Sequence, residues 1–306
     1  MAKTKKADTS PEKPEDKRPA TPPTAPPTDE AAPAKALKKA TRAKAKAAPT
    51  LSPNQVSLYS VEGEVKGVVD LPNAFLAPVR SDLIRRAVTA SRANRRQPYG
   101  PSPTAGTRHS VRWSGKGHGV SRVPRIRGTM IGAQAPGTRG GRRAHPPRPR
   151  TIWAKKINGR ERRTARLAAV AATHDVALVA ARGHRFRDSL TLPVVVEDGI
   201  EKLEKTAAGI AALRSVGVFE DVERAQQGSG IRAGRGKMRG RRYRVPRSLL
   251  MVVSDVASGR KVFGNLPGVD VAEPRGLNAE LLAPGGDPGR LVVFSQSAIE
   301  QLRGWS

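Results

Sequence analysis

The sequence predicts an α/β protein built around a mainly parallel β-sheet. First, short apolar runs recur at residues 192–196, 249–253 and 291–294, which is typical of strands buried on both faces. Second, segments with helical spacing of apolar residues separate these runs, and alternating strands and helices favour parallel pairing. Third, 306 residues are enough to bury a sizeable core.

The first elements begin just after Leu51, where the composition becomes apolar enough to fold. Residues 56–59 predict a strand, and Gly63 lies in a turn that leads to a second strand at 65–69. Apolar residues at helical spacing then predict a helix over 79–94.

The helical spacing of apolar residues disappears after this helix, and it is absent from residue 95 to about residue 150. A loop this long inside a compact domain is expected to be functional and ordered by a partner. An Ala-rich segment predicts a helix over 161–182, broken near 173–175. Asp198 is expected to cap another helix, which ends at Gly217. The last helix is predicted at 298–303, after a strand that ends near Phe294.

The domain organisation follows from composition. Residues 1–50 hold nine prolines, 12 basic and six acidic residues and no aromatic residue, which predicts a disordered basic tail rich in Ala, Pro and Lys. We expect residues 51–306 to form a single α/β domain. That domain carries a long basic loop at 95–150 and a second basic insert at 225–248.

The positive charge is concentrated in these segments. The chain has 56 Lys and Arg against 26 Asp and Glu, a net charge of +30. Residues 83–160 carry 19 cations and no acid, and residues 224–254 carry nine cations and no acid. Outside these stretches and the tail, the chain holds 16 basic and 20 acidic residues. Two acid-free stretches on a nearly balanced body indicate neutralisation by the phosphates of a nucleic acid.

The residue types in these stretches favour RNA. Sixteen of the 19 cations in the first stretch are arginine, whose planar fork binds phosphate and stacks on bases. Glycine lets the backbone approach a nucleic acid closely, and Tyr99 and Trp113 are able to stack on unpaired bases. Residues 231–244 again alternate arginine with glycine. The simpler alternative is a disordered solvated linker for the first stretch, and a nuclear-type basic signal or a solvated loop for the second.

No catalytic, cofactor or metal site is predicted. The absence of cysteine excludes a disulfide scaffold, a zinc finger and a thiol nucleophile. The run 115–119 fails the dinucleotide fingerprint because Val120 stands where the third glycine belongs, and Ile231 stands where a P-loop ending at Lys237 needs its first glycine. The five histidines lack metal-ligand spacing, and no apolar run approaches the 18 residues of a membrane span. We therefore expect no enzyme activity, cofactor, small-molecule substrate or membrane partner.

Several long strings resemble the large-subunit ribosomal protein L4 family in its archaeal–eukaryotic form. In the first basic stretch they are RQPYG at 96–100, SGKGHGVSRVPRIRG at 114–128 and GGRRAHPP at 140–147. Further along they are AAVAATHDVALVAARGHRF at 168–186, IRAGRGKMRGRRYR at 231–244, NLPGVDV at 265–271 and LAPGGDPGRLVVFSQSAIEQL at 282–302. The resemblance covers about residues 54–303 in order.

The resemblance implies a three-layer α/β/α domain on the outside of the large ribosomal subunit, with a long loop reaching through the rRNA. It places the loop tip near residues 113–127, at the wall of the peptide exit tunnel, and the loop stems near 95–99 and 142–145. The second basic loop corresponds to 232–244. The tail before residue 51 lies outside the family pattern, and the lack of a lysine-rich extension after residue 306 suggests an archaeal member.

The candidate RNA-binding residues are the cations and aromatic side chains of the two basic stretches. They are Arg95, Arg96, Tyr99, Arg108, Arg112, Trp113, Lys116, His118, Arg122, Arg125, Arg127, Arg139, Arg142, Arg143, His145, Arg232, Arg235, Lys237, Arg239, Arg241, Arg242 and Arg244.

The predicted function is that of a structural constituent of the large ribosomal subunit, located in the cytoplasm within the ribosome. Its expected partners are large-subunit rRNA, neighbouring ribosomal proteins and, near the loop tip, the nascent peptide. A chromatin-type or other general nucleic-acid-binding protein is the alternative, because the tail resembles linker-histone tails in composition. An RNA-modifying enzyme is a third hypothesis, but it would need a cofactor or an acid–base site that the sequence does not offer.

Overall fold

The computed structural model describes residues 52–305, so the predicted disordered tail at 1–50 lies outside the described residues. Ten strands occur in the described part: β1 (Gln55–Tyr59), β2 (Val65–Asp70), β3 (Val111–Arg112), β4 (Arg125–Ile126), β5 (Val194–Val196), β6 (Gly230–Ile231), β7 (Tyr243–Arg244), β8 (Leu250–Val252), β9 (Asp270–Ala272) and β10 (Val292–Ser295). Its helices are α1 (Ser81–Asn94), α2 (Gly159–Ala171), α3 (Val176–Ala181), α4 (Thr206–Val216), α5 (Phe219–Gln227), α6 (Val256–Phe263), α7 (Ala279–Leu282) and α8 (Gln296–Leu302).

Six strands form the main sheet in the order β2-β1-β5-β10-β8-β9. β1 and β2 are antiparallel because the short turn at Gly63 joins them directly, whereas every other pair in this sheet is parallel. In the parallel register, Leu58 lies opposite Val195, and Val194 lies opposite Val293. The predicted α/β fold with a mainly parallel sheet is confirmed.

Helices cover both faces of this sheet, because successive strand residues point to opposite sides. In β5, Val195 packs into a core with α1, α2, α7 and α8. Its neighbours Val194 and Val196 pack into a second core with α3, α4, α5 and α6. The ring of Phe294 from β10 meets Phe75 edge-on at 5.7 Å in the first core. The three-layer arrangement implied by the resemblance is therefore present.

The predicted break in the helix over 161–182 is confirmed. α2 ends at Ala171, and Asp175 starts α3 by accepting hydrogen bonds from the backbone N–H groups of Ala177 (2.9 Å) and Leu178 (3.4 Å). Nδ1 of His174 lies 2.7 Å from the carbonyl oxygen of Leu192, so this histidine links the break between α2 and α3 to the segment just before β5.

The predicted helix that begins at Asp198 is wrong in its first part. Residues Asp198–Lys202 form a 3-10 turn, Leu203 is extended, and α4 begins only at Thr206; the end at Gly217 is confirmed. The Asp198 carboxylate instead accepts hydrogen bonds from the backbone N–H (2.9 Å) and Oγ (2.6 Å) of Ser297, near the start of α8. The side chain that the local sequence pattern predicts as a helix cap therefore forms a contact with a residue about 100 positions away.

Two basic segments leave this body at defined places. The first, here called the long loop (residues 95–158), connects α1 with α2, which pack together on one face of the sheet. The second, here called the basic hairpin (residues 230–244), connects α5 with β8. Sequence analysis did not identify α5, so the predicted insert at 225–248 starts in the last turn of that helix.

Candidate nucleic-acid interface

The long loop is a two-limbed structure whose limbs run side by side. At its root, the backbone N–H of Lys155 donates a 2.9 Å hydrogen bond to Oδ1 of Asn94. Two residues further along each limb, the Arg96 guanidinium lies 3.7 Å from the centre of the Trp153 ring, a cation–π contact between the limbs. Both contacts join residues about 60 positions apart, so the loop leaves and re-enters the body at one point.

The middle of the long loop is held by polar contacts rather than by a hydrophobic core. The side-chain amide of Gln134 donates to the carbonyl oxygens of Thr107 and His109 on the opposite limb. The backbone N–H of Ala133, which is buried, donates to the carbonyl of Pro124 at 2.8 Å. Backbone and amide contacts of this kind leave the charged side chains free to point outward.

Near its end, the loop forms a short antiparallel pair between β3 and β4, with Arg112 opposite Arg125. Arg125 donates hydrogen bonds to the carbonyl of Met130 (2.7 Å) and to Oγ of Ser121 (2.9 Å), so it organises the loop itself. The tip is therefore residues 113–124, within the predicted range. Trp113 at its start is 66% exposed.

Most of the predicted RNA-binding side chains of the long loop face solvent. Four of them have partners within the protein: Arg95 pairs with Glu280 of α7, Arg96 stacks on Trp153, Arg108 donates to Oγ1 of Thr104 at 3.2 Å, and Arg125 supports the tip. All of the predicted side chains except Arg125 are exposed: Arg95, Arg96, Tyr99, Arg108, Arg112, Trp113, Lys116, His118, Arg122, Arg127, Arg139, Arg142, Arg143 and His145. The structure thus presents two roles, a few residues that shape the loop and a larger set that lines its surface.

The basic hairpin is a second exposed extension. β6 and β7 pair with Ile231 opposite Tyr243, and the backbone N–H of Arg232 donates to the carbonyl of Arg242 at 2.8 Å. Nε of Arg232 also donates to the carbonyl of Arg241 at 3.1 Å, so Arg232 stabilises the hairpin. The remaining predicted cations, Arg235, Lys237, Arg239, Arg241, Arg242 and Arg244, are exposed. Met238 at the turn is 81% exposed, which leaves an apolar side chain for contact with a partner.

A buried polar cluster anchors the root of this hairpin. The carboxylate of Asp221 in α5 is fully buried and accepts hydrogen bonds from Nδ1 of His184 (3.0 Å), Nε of Arg224 (2.9 Å) and Oγ of Ser248 (2.9 Å). Burial alone would raise the pKa of Asp221, but the hydrogen bonds from His184 and Arg224 outweigh it and hold that pKa at about 2. Nη2 of Arg224 also donates to the carbonyl of Arg247 at 2.9 Å, so the cluster fixes where the hairpin returns to the body.

Sequence analysis missed one group of cations, the arginines of α2. Arg160, Arg162 and Arg163 are exposed in the first turns of this helix. The acid-free stretch at 83–160 ends just before Glu161, so its definition excluded the arginines that continue the basic segment into the helix. In the structure Glu161 pairs instead with Arg86 at 3.0 Å. Reading arginine positions by helical spacing, rather than by runs without acids, would have found the group.

Neither a metal site nor a membrane-spanning segment is found in the described part of the chain. Across residues 52–305, no three His, Asp or Glu side chains are grouped closely enough to hold a metal ion. No helix in that range is long and apolar enough to cross a bilayer.

An α/β body with two exposed, arginine-rich extensions is typical of a protein that binds a polyanion through surface extensions rather than in a cleft. The family model for the ribosomal protein L4/L1 family matches residues 69–305. Among similar proteins, the large ribosomal subunit protein uL4 of Thermoplasma acidophilum is 49% identical over 249 residues, 81% of this chain and 97% of that protein. The uL4 proteins of Halobacterium salinarum (46%, over 81% of this chain and 98% of theirs) and Archaeoglobus fulgidus (45%, 82% and 99%) are similar to it as well.

The chain belongs to the ribosomal protein L4/L1 family. The family predicted from the sequence motifs is confirmed, and its archaeal type agrees with the organisms of these relatives. Because proteins of this family are structural ribosomal proteins, family membership also confirms that the chain is not an enzyme.

Proposed function

We propose that this protein is a structural constituent of the large ribosomal subunit and binds rRNA through the long loop and the basic hairpin. The observation that carries the proposal is the exposure of nearly all predicted cations on two extensions, while the arginines that shape those extensions have partners within the protein. Phosphates that neutralise these cations release counterions, which supplies much of the binding free energy. Neighbouring proteins of the large subunit are the protein's other partners in this assembly.

The salt dependence of binding tests the role of the basic hairpin. A protein that makes six to ten phosphate contacts loses roughly 10³–10⁵ in affinity between 50 and 200 mM salt. We expect the quadruple change Arg235→Gln, Arg239→Gln, Arg241→Gln and Arg244→Gln to flatten the slope for a large-subunit rRNA fragment by about 3. These four are exposed, and Arg232 is kept because it holds the hairpin together.

A matched control removes the same charge elsewhere. Lys66, Arg80, Arg85 and Arg214 each pair with a carboxylate of the body, so changing all four to Gln removes four positive charges outside the extensions. We expect this control to change the slope far less. Equal slopes for the two variants would mean that only the net charge matters. Equal affinity for the rRNA fragment and for duplex DNA of the same length would favour the general nucleic-acid-binding alternative.

We further propose that the loop tip contributes to the wall of the peptide exit tunnel and meets the nascent peptide. Support comes from the family resemblance of residues 114–128 and from the open surroundings of the tip, where a Cβ at Gly117 or Gly119 would meet no atom within 4 Å. Deleting residues 114–123 leaves the β3–β4 pair in place, because Arg112 and Arg125 are retained. The shortened protein should still enter the subunit, whereas peptide-dependent stalling should change.

Crosslinking tests the tip directly. Photoreactive side chains placed at residues 116–122 of the incorporated protein should crosslink to a stalled nascent chain. The same side chain at residue 231 of the basic hairpin serves as the control and should not. Full incorporation without any crosslink from the tip would rule out the tunnel assignment while leaving the rRNA-binding role intact.

A further inference from the structure

A third basic surface lies on the body, outside both extensions. The first half of α2 and residues 275–279 line a groove of about 780 Å³. Five arginines face it: Arg160, Arg162, Arg163, Arg166 and Arg275. We call it the arginine groove. Arg275 comes from a segment more than 100 residues after α2, so the fold brings these cations together.

The arginines of the groove lack carboxylate partners. Within residues 52–305, no Asp or Glu lies within ion-pairing distance of any of the five. Elsewhere on the body, exposed arginines such as Arg80 and Arg214 do pair with acids. The nearby Glu161 is directed to Arg86. The positive charge of the groove is therefore left for an external anion.

The spacing along α2 concentrates this charge. Arg162 and Arg166 are four residues apart and Arg163 and Arg166 three apart, so like charges lie side by side on the helix and repel each other. The pKa of Arg166 is lowered, mainly by burial and further by Arg163 and Arg162. The orientation of α2 is fixed because Ala165, Ala168 and Ala169 are buried in the core, so the arginine side chains stay at the groove.

One guanidinium of the groove is held in place. Arg166 lies 3.9 Å from the centre of the Trp305 ring, which fixes the plane of its fork. Its Nε is buried and has no hydrogen-bond partner in the protein. A buried donor without a partner is uncommon and favours an unfilled acceptor site beside it. A fixed arginine fork suits the geometry of phosphate.

We propose that the arginine groove binds the phosphate backbone of RNA, as a continuation of the surface that the long loop presents. This inference rests on the proposed function, because it assigns an additional contact to the same rRNA. Continuity supports RNA over an acidic peptide: the returning limb carries Arg148, Arg150, Lys155 and Lys156 into α2 without an intervening acid. A single RNA strand that follows this limb reaches the groove where the loop joins the body.

The test uses the full chain with Arg162→Gln, Arg163→Gln and Arg275→Gln. All three side chains are exposed, and Arg166 is left unchanged because it packs on Trp305. Binding of a large-subunit rRNA fragment is measured from 50 to 300 mM salt. We expect the slope of log affinity against log salt to fall by about 2–3. The matched control changes Arg80, Arg85 and Arg214 to Gln, which removes the same charge from carboxylate-paired positions. In this control the slope should fall by less than 1.

A lysine variant at the same three groove positions separates charge from shape. It should restore the salt slope while binding more weakly than the parent, because lysine lacks the arginine fork. If the parent binds the rRNA fragment but the salt slope decreases by the same amount in the groove variant and in the control variant, the groove proposal is wrong and the proposed function stands. If the parent itself does not prefer rRNA over duplex DNA, the proposed function fails first. Loss of binding to a poly-glutamate peptide with unchanged rRNA binding would overturn the RNA assignment of the groove.

Discussion

Arg290 shows how much one side chain contributes to this fold. It is fully buried, and it donates hydrogen bonds to the carbonyls of Ser248 (2.9 Å), Leu281 (2.8 Å) and Leu249 (3.2 Å). It also pairs with Asp270 at 2.8 Å. Burial lowers its pKa to about 10, opposed by the nearby Asp270, so it stays charged at neutral pH. One guanidinium thus joins α7, β9 and the residues just before β8.

We expect Arg290→Met to lower the free energy of unfolding by about 3–5 kcal/mol, because three buried carbonyls lose their donor and Asp270 loses a partner. Arg290→Lys keeps the charge but not the five donors, so it should recover only part of that loss. Chemical denaturation of the three proteins measures this. A loss below about 1 kcal/mol in the Met variant would contradict the role assigned to Arg290.

Asp221 gives a prediction about pH. Its pKa of about 2 in the folded protein lies below the ordinary value of 3.8, so folding favours the charged carboxylate. The resulting stabilisation, about 2 kcal/mol, is complete above pH 4 and is lost as the pH falls toward 2. Comparing urea unfolding of the parent and Asp221→Asn at pH 7, 4 and 3 tests this. The stability gap between the two should narrow only below pH 4, and a gap that is constant over that range would refute the assignment.

At the scale of elements, the long loop depends on close contact between its limbs. A Cβ at Gly106 would lie 2.5 Å from the backbone nitrogen of Arg142, while one at Gly117 would meet nothing within 4 Å. Both glycines have a φ near 80°, so alanine strains the backbone equally at either position. The two substitutions therefore differ in the steric clash alone.

We expect Gly106→Ala to push the limbs apart and to lower the free energy of unfolding by about 1–3 kcal/mol more than Gly117→Ala does. In the free protein, backbone amides near Ala133 should then exchange hydrogen faster in the first variant, while the second matches the parent. Hydrogen-exchange mass spectrometry resolves the loop peptides. Identical exchange in both variants would mean that the limbs do not pack as the contacts between residues 106 and 142 indicate.

At the scale of the whole molecule, charge and packing are divided between body and extensions. Arginines of the body such as Arg80, Arg85 and Arg86 are ion-paired, whereas among the cations of the long loop and basic hairpin only Arg95 pairs with a carboxylate within residues 52–305 and nearly all are exposed. Limited trypsin digestion of the free protein should therefore cut first within 95–150 and 231–247, leaving the sheet and its helices protected. Bound rRNA should slow both cuts. Cleavage inside the parallel sheet at a comparable rate would contradict this division.

Much of this organisation follows from local sequence. The apolar runs that became β5, β8 and β10 predict buried parallel strands, because strands covered on both faces need apolar side chains on both. The long loop and basic hairpin are evident from composition, since acid-free arginine and glycine stretches cannot bury a core. The motifs within them are sufficient to predict the family. The roles proposed for individual RNA-binding residues remain predictions.

Tertiary structure decided what depends on residues distant in sequence. Asp198 serves α8 instead of capping its own helix, Arg125 supports the loop tip rather than facing solvent, and Arg275 joins α2 in the arginine groove. Periodicity and charge counts describe neighbours along the chain, so they cannot predict a hydrogen bond between residues that lie about a hundred positions apart. Such contacts exist because sheet and helix packing brings those backbones together, and only then do the side chains compete for partners.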